Sequence, residues 1–262
     1  MLLENITLDA LDPRVVGAFW EELLGGRRIT DEPDLVEVRL EVPGGPVLDL
    51  CVPRVPEPAA PGPRLHLDLL GGPRQAEVVQ QALDLGARHL DIGQGDVPWV
   101  VLADPEGTPF CVMEERAEYR ADGGPVAALP LDSADPARDL AFWQALSGWR
   151  PESTSMPAAL RHPSGLGPLL ELCPETTAKP AGVKNRMHLD ARLEPGEDLD
   201  DCVARAVALG GHEVEHDWGT LPWRVLTDPS GMLSLGDVTG ALGSGAGALG
   251  DFGAGVPDIK MT

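Results

Sequence analysis

The chain has 262 residues, room for two domains of ordinary size, with 42 acidic against 20 basic side chains and a net charge of −22. Residues 1–122 carry 10 basic and 23 acidic groups and residues 123–262 carry 10 and 19, so the charge is spread over both halves. A surface this acidic repels phosphate backbones, which argues against nucleic acid and anionic membrane as partners, and no apolar run approaches the roughly 20 residues that span a bilayer.

Taken in chain order, a patterned segment with an acid in Met1–Ile6, unlike a secretory leader, runs into Asp12-Pro13. That pair is a helix start: aspartate caps bare N–H groups, and proline tolerates the first helical position. Val16, Phe19, Trp20 and Leu23 give the helix an apolar face, and Gly25-Gly26 stops it. Alternation around Val36, Val38 and Leu40 predicts a strand at 35–41, with another at 46–52. A proline-rich connector follows at 54–63. A second set then begins with a strand at 64–70, a helix at about 73–86 (Val78, Val79, Ala82, Leu83) and strands near 98–103 and 109–114. Asp104-Pro105-Glu106-Gly107 between the last two fits a hairpin turn. Residues 116–124 read as a linker.

The order then repeats. Leu8-Asp9-Ala10-Leu11-Asp12-Pro13 returns as Leu131-Asp132-Ser133-Ala134-Asp135-Pro136, and Phe19-Trp20 as Phe142-Trp143. Val47–Cys51 returns as Leu169–Cys173, and Leu65-His66-Leu67-Asp68 as Met187-His188-Leu189-Asp190. Pro98-Trp99 and Asp104–Gly107 return as Pro222-Trp223 and Asp228–Gly231. Five blocks in one order mean a duplicated domain, each copy patterned as strand, helix, then three strands. The expected boundaries are 1–115 for copy one, 116–124 for the linker and 125–238 for copy two. Residues 174–184 are a second connector, and a Gly/Ala-rich tail without sustained periodicity runs from 239 to 262.

Leu-Asp-x-x-Asp-Pro before a Phe-Trp helix, His-Leu-Asp opening a strand, and Trp-x-Val-Leu-x-Asp-Pro-x-Gly before the last strand resemble the glyoxalase/bleomycin-resistance (vicinal oxygen chelate) superfamily. The resemblance covers residues 2–238. It implies an α+β fold of tandem βαβββ modules, as two glyoxalase-like open-barrel domains, each with a ligand cup. It also implies four equivalent ligand positions per copy. In copy one these are Asn5, Asp49, His66 and Cys111; in copy two, Ala128, Glu171, His188 and Ser234. The half-to-half spacings agree, with Asn5 to His66 at 61 and Asp49 to Cys111 at 62. A metal-using member needs three or four hard oxygen and imidazole donors. Neither copy supplies that full set, so no metal cofactor is expected. If iron, manganese, nickel or zinc does bind, Asp49 and His66 are the expected ligands.

Strand periodicity puts His66 with Asp68, His188 with Asp190, Asp49 with Cys51 and Glu171 with Cys173, each pair on one face. An imidazole near carboxylates favours its charged form. Each histidine either satisfies neighbouring strands or faces a ligand, and the sequence leaves both open. Trp99 and Trp223 are either core or stack a planar ligand at the mouth of the cup, whereas Trp20 and Trp143 belong to the core. Cys51, Cys111, Cys173 and Cys202 show no CxxC spacing, which predicts unpaired thiols in a reducing cytoplasm. Arginine outnumbers lysine 17 to 3, a bias typical of a GC-rich bacterial genome. The expected function is binding a small organic molecule in a cup, by a monomer or homodimer. The alternative is a metal-dependent lyase, isomerase or dioxygenase. Each copy is expected to close its own eight-stranded cup, with the better site in copy one.

Overall fold

The structure is a computed structural model describing residues 1–56, 63–175, 185–215, 223–231 and 233–236, the last four as backbone strand only. The tail at 239–262, most of both connectors and Pro222 lie outside the described residues.

Copy one begins with β1 (Leu2–Leu8), α1 (Pro13–Leu24), β2 (Arg27–Asp31), β3 (Leu35–Glu41) and β4 (Val47–Pro53). Its second half is β5 (Asp68–Leu70), α2 (Gln75–Asp84), β6 (Arg88–His89), β7 (Val100–Ala103) and β8 (Pro109–Met113). Copy two runs β9 (Val126–Ser133), α3 (Pro136–Ser147), β10 (Arg150–Pro151), β11 (Ala159–Arg161) and β12 (Leu169–Pro174). It ends with β13 (Met187–Arg192), α4 (Leu199–Ala208), β14 (His212–Glu213), β15 (Arg224–Thr227) and β16 (Leu233–Gly236). Among the described residues no helix is long and apolar enough to cross a membrane.

The helix limits follow the sequence signals. The side chain of Asp12 accepts the N–H groups of Arg14 and Val15, and that of Asp135 accepts the N–H of Arg138. Gly25 and Gly148 stop α1 and α3 at φ 64° and 69°, left-handed angles that cost glycine nothing. The edge strands β2, β6, β10 and β14 carry weaker patterns. β5 is shorter than its expected 64–70, and His66 stands just before it.

The strand order corrects one expectation. Sheet 1 runs β14-β15-β16-β13-β1-β4-β3-β2 and sheet 2 runs β10-β11-β12-β9-β5-β8-β7-β6. Each eight-stranded sheet therefore takes four strands from each copy. The joints are antiparallel: β1 pairs with β13, Leu8 opposite Met187, and β5 pairs with β9, Asp68 opposite Ala128. Both sheets are open rather than closed barrels. The physical reason is symmetry. By the repeat, β5 and β13 are equivalent edges, and both β1 and β9 need such an edge. Local pattern cannot say which takes which.

What holds one copy together is its convex side. Phe19 and Trp20 of α1, on the sheet 1 side, pack tilted and edge-on, respectively, against Phe110 of sheet 2, centroids 5.9 and 5.0 Å away. The Trp20 indole N–H reaches Asp104 at 3.4 Å, and Trp143 reaches Asp228 at 3.2 Å in the repeat. Both tryptophans are buried core, as expected. Helices and aromatics thus unite the halves of a copy, while each concave face is shared between copies.

Candidate functional site

The concave face of sheet 1 (cup 1) is built by Asn5 and Thr7 of β1, Glu37 and Arg39 of β3, Asp49 and Cys51 of β4, and His188 and Asp190 of β13. Cross-strand register aligns them: Asn5 lies level with both Asp49 and Asp190, Thr7 with Cys51 and His188, and Arg39 with Asp49. Several of these groups pair with one another. Arg39 donates two hydrogen bonds to Asp49, at 2.8 and 2.7 Å, and the Asp49 carboxylate holds the guanidinium charged. Thr7 donates to Asp190 at 2.8 Å. His188 Nε2 lies 3.5 Å from Asp190 Oδ1, with the imidazole almost wholly buried. Burial, then the charge of Glu37, pushes the Cys51 thiol well up. Trp223 stands half-buried at the head of β15; Ser234 is on β16, its side chain outside the described residues.

Cup 2, the concave face of sheet 2, has a different character. Its wall is apolar: Leu70, Trp99, Val101, Met113, Ala128, Ala159 and Leu169 pack together with Cys111 and Tyr119. Its polar groups gather at one place. His66 Nε2 is 3.3 Å from Asp68 Oδ1, and Asp68 is level with Cys111 on the neighbouring β8. One donor atom each of His66, Asp68 and Cys111 lies within 4.8 Å of the others. The His66 backbone N–H bonds to the carbonyl of Pro130, which sits level with Glu171. Burial, then the Asp68 charge, raises the Glu171 carboxyl to about 7, opposed by Arg116 and His66. The Cys111 thiol is pushed up by burial, by the Asp68 charge and by its hydrogen bond to Asp68. Such a thiol is protonated at neutral pH, so it is no activated nucleophile.

The expected convergence of Asn5, Asp49, His66 and Cys111 is therefore corrected. Asn5 and Asp49 belong to sheet 1 with His188, whereas His66 and Cys111 belong to sheet 2 with Glu171. Asp49 and His66 cannot jointly ligate an ion, and Asp49 is already taken by Arg39. Ala128 is also displaced: it lies level with Leu169 and Asp68, and Pro130 takes the place beside Glu171. The expectation of a better site in copy one loses its basis with it, because each sheet takes strands from both copies. Trp99 is half-buried and packs against the apolar cluster of cup 2.

Sequence reasoning missed Arg116, Tyr119 and Arg161. The first two lie in the segment read as a plain linker. Its one signal is that the only tyrosine of the chain sits there. Arg161, on β11, is almost wholly buried; it donates to the Gly167 and Glu118 carbonyls, both at 2.7 Å.

The profile described as a glyoxalase-like domain matches residues 5–113 and again 128–233. The chain belongs to this glyoxalase-like family. Glyoxalase I from Zea mays superposes with a TM-score of 0.61 at 14% identity, over 90% of this chain and 91% of that one. A provisionally assigned dioxygenase from Bacillus subtilis gives 0.54 at 15%, over 91% and 85%. Identities this low carry the shared fold and no activity. No curated protein sequence matches the chain. For a glyoxalase-like protein the question of a metal falls on cup 2. Its imidazole, carboxylate and thiol donors fit a borderline divalent ion such as zinc. Cup 1 gathers no such group among the described residues.

Proposed function

We propose that this glyoxalase-like protein binds a small organic molecule in cup 2. The supporting observation is the contrast between its two concave faces. Cup 2 combines an apolar wall with a few convergent polar groups, the composition of a specific ligand pocket. The charges of cup 1 are spent on each other, Arg39 against Asp49 above all. Trp99 offers a planar ligand a stacking face, and His66, Asp68 and Glu171 offer hydrogen-bonding partners. Since one chain supplies both halves of both cups, a monomer is the proposed working unit. Thermal-shift screening of aromatic and dicarbonyl compounds tests this. A hit whose stabilisation disappears in Trp99→Ala but survives in His188→Ala supports cup 2, and the reverse pattern refutes it.

A second reading is favoured by the His66–Asp68–Cys111 cluster: a divalent-metal-dependent lyase, isomerase or dioxygenase. Those three residues would hold the ion, which when bound supplies Lewis-acid polarisation of a ligand oxygen. Glu171, with its carboxyl raised to about 7, would exchange a proton with the ligand at its carboxylate oxygen near neutral pH. Elemental analysis of protein purified without chelator separates the readings. Well under one equivalent of metal favours plain binding; stoichiometric metal lost in Asp68→Ala and Cys111→Ala favours the enzyme.

A further inference from the structure

The segment between the two copies spans cup 2. Strand order sets β7 and β11 on opposite flanks of sheet 2, with β12, β9, β5 and β8 between them. Residues 116–119 touch both flanks. Arg116 stacks on Trp99, just before β7, while the Glu118 carbonyl accepts from Arg161 on β11 at 2.7 Å. Tyr119, the residue after the second anchor, is buried in the apolar cluster of the cup. The linker is thus a strap seated in the mouth.

What the strap holds there is a planar cation in a cage. The guanidinium carbon of Arg116 lies 5.5 Å from the ring centroid of Trp99 and 5.4 Å from that of Tyr119. Its Nε donates to Glu114 Oε1 at 2.6 Å and its Nη1 to the Tyr119 hydroxyl at 3.3 Å. Asp68 and Glu171 are near enough that both feel its charge. Glu114 Oε2 is buried and accepts no hydrogen bond, and the buried Asp68 Oδ1 has only the His66 ring beside it, at 3.3 Å. Aromatic faces attract a cation, and buried carboxylate oxygens without donors are costly, so the cage is complementary to positive charge with N–H groups to offer. An anionic group entering here would meet three carboxylates.

We propose that cup 2 recognises a ligand bearing a guanidinium or amidinium group on an apolar body, and that Arg116 is the intramolecular stand-in which that group displaces. The proposal rests on cup 2 being the ligand site and adds the charge and shape of what it takes. In the resting protein the strap closes its own cup, and a matching ligand opens it by replacing one cation with another.

The test uses the full chain with three isosteric probes, benzamidine, benzamide and benzoate, titrated by calorimetry and by tryptophan fluorescence. Arg116→Ala empties the cage, and Arg116→Gln keeps bulk without charge. Both are expected to bind benzamidine about ten-fold more tightly than the wild type, the scale of one partly desolvated cation–aromatic contact. Benzamide should change by less than about two-fold, since a neutral amide does not compete for the cage charge. The gain should vanish in Arg116→Ala combined with Trp99→Leu. Benzamidine binding that is unchanged or weaker in both Arg116 variants overturns the proposal. So does benzoate binding to the wild type that is lost on removing Arg116, which would make Arg116 an anion anchor. If neutral aromatics bind in a Trp99-dependent way while benzamidine binds no variant, the cation reading falls and the cup reading stands. If no compound binds any variant, both fall.

Discussion

Glu171 should be a group whose charge works against folding. In the folded chain its carboxyl rises from 4.5 to about 7, chiefly through burial and then through the charge of Asp68. Between these values the folded state binds a proton that the unfolded state has released. Stability from this group is therefore fully present below about pH 4.5, falls as pH rises, and is lost above about pH 7. At 1.36 kcal/mol per unit, the full loss is about 3 kcal/mol. Glu171→Gln keeps the shape and removes the charge. At pH 8 the variant, freed of metal with chelator, should unfold in urea with a stability about 3 kcal/mol above the wild type. The gain should shrink steadily on going down to pH 5. Equal stabilities at pH 8, or a difference that grows toward acid, would refute the account of cup 2 as a place where two carboxylates crowd.

Three further outcomes follow from named contacts. Arg39→Ala leaves Asp49 mostly buried without its bidentate partner, and should cost about 1–3 kcal/mol by urea unfolding, Arg39 being partly exposed. Adding Asp49→Ala should recover most of that loss. Asp135→Ala removes the cap of α3, which should cost about 1 kcal/mol in the same assay. Trp20→Phe keeps the ring packed against Phe110 but takes a donor from the wholly buried Asp104, and should lower stability by about 1–2 kcal/mol, read by thermal unfolding.

Much of this architecture can be read along the chain because it is local. Asp12-Pro13 and Asp135-Pro136 start helices through their own side chains, and Gly25 and Gly148 end them through their own backbone angles. The alternation Val36, Val38, Leu40 names the buried face of β3. The duplication is visible for the same reason, since repeated blocks need no knowledge of space. Strand partnership is another matter. His66 and His188 occupy equivalent places, so nothing near either one says whether its edge joins β1 or β9. That choice moved His66 away from Asp49 and toward Glu171, and with it the whole candidate site. Arg116 and Tyr119 escaped notice for a different cause. Their contacts, to Trp99 and into the cup, are tertiary, and a nine-residue polar segment shows no periodicity to betray a buried face. The thiol of Cys111 reads from sequence as a free donor, and only its burial and its register beside the Asp68 charge show what keeps it protonated.

The central claim is that the candidate site is assembled from both copies, with His66 of copy one answering to Glu171 of copy two. A pair of double-mutant cycles on urea stability at neutral pH tests it without any ligand. One cycle combines His66→Ala with Glu171→Gln, the other His66→Ala with Asp49→Asn. Groups that interact show coupling of about 0.5 kcal/mol or more, and independent groups add to within about 0.3. The shared cup predicts coupling between residues 66 and 171 and additivity between 66 and 49. Coupling between 66 and 49, with 66 and 171 additive, would mean that each copy closes its own cup.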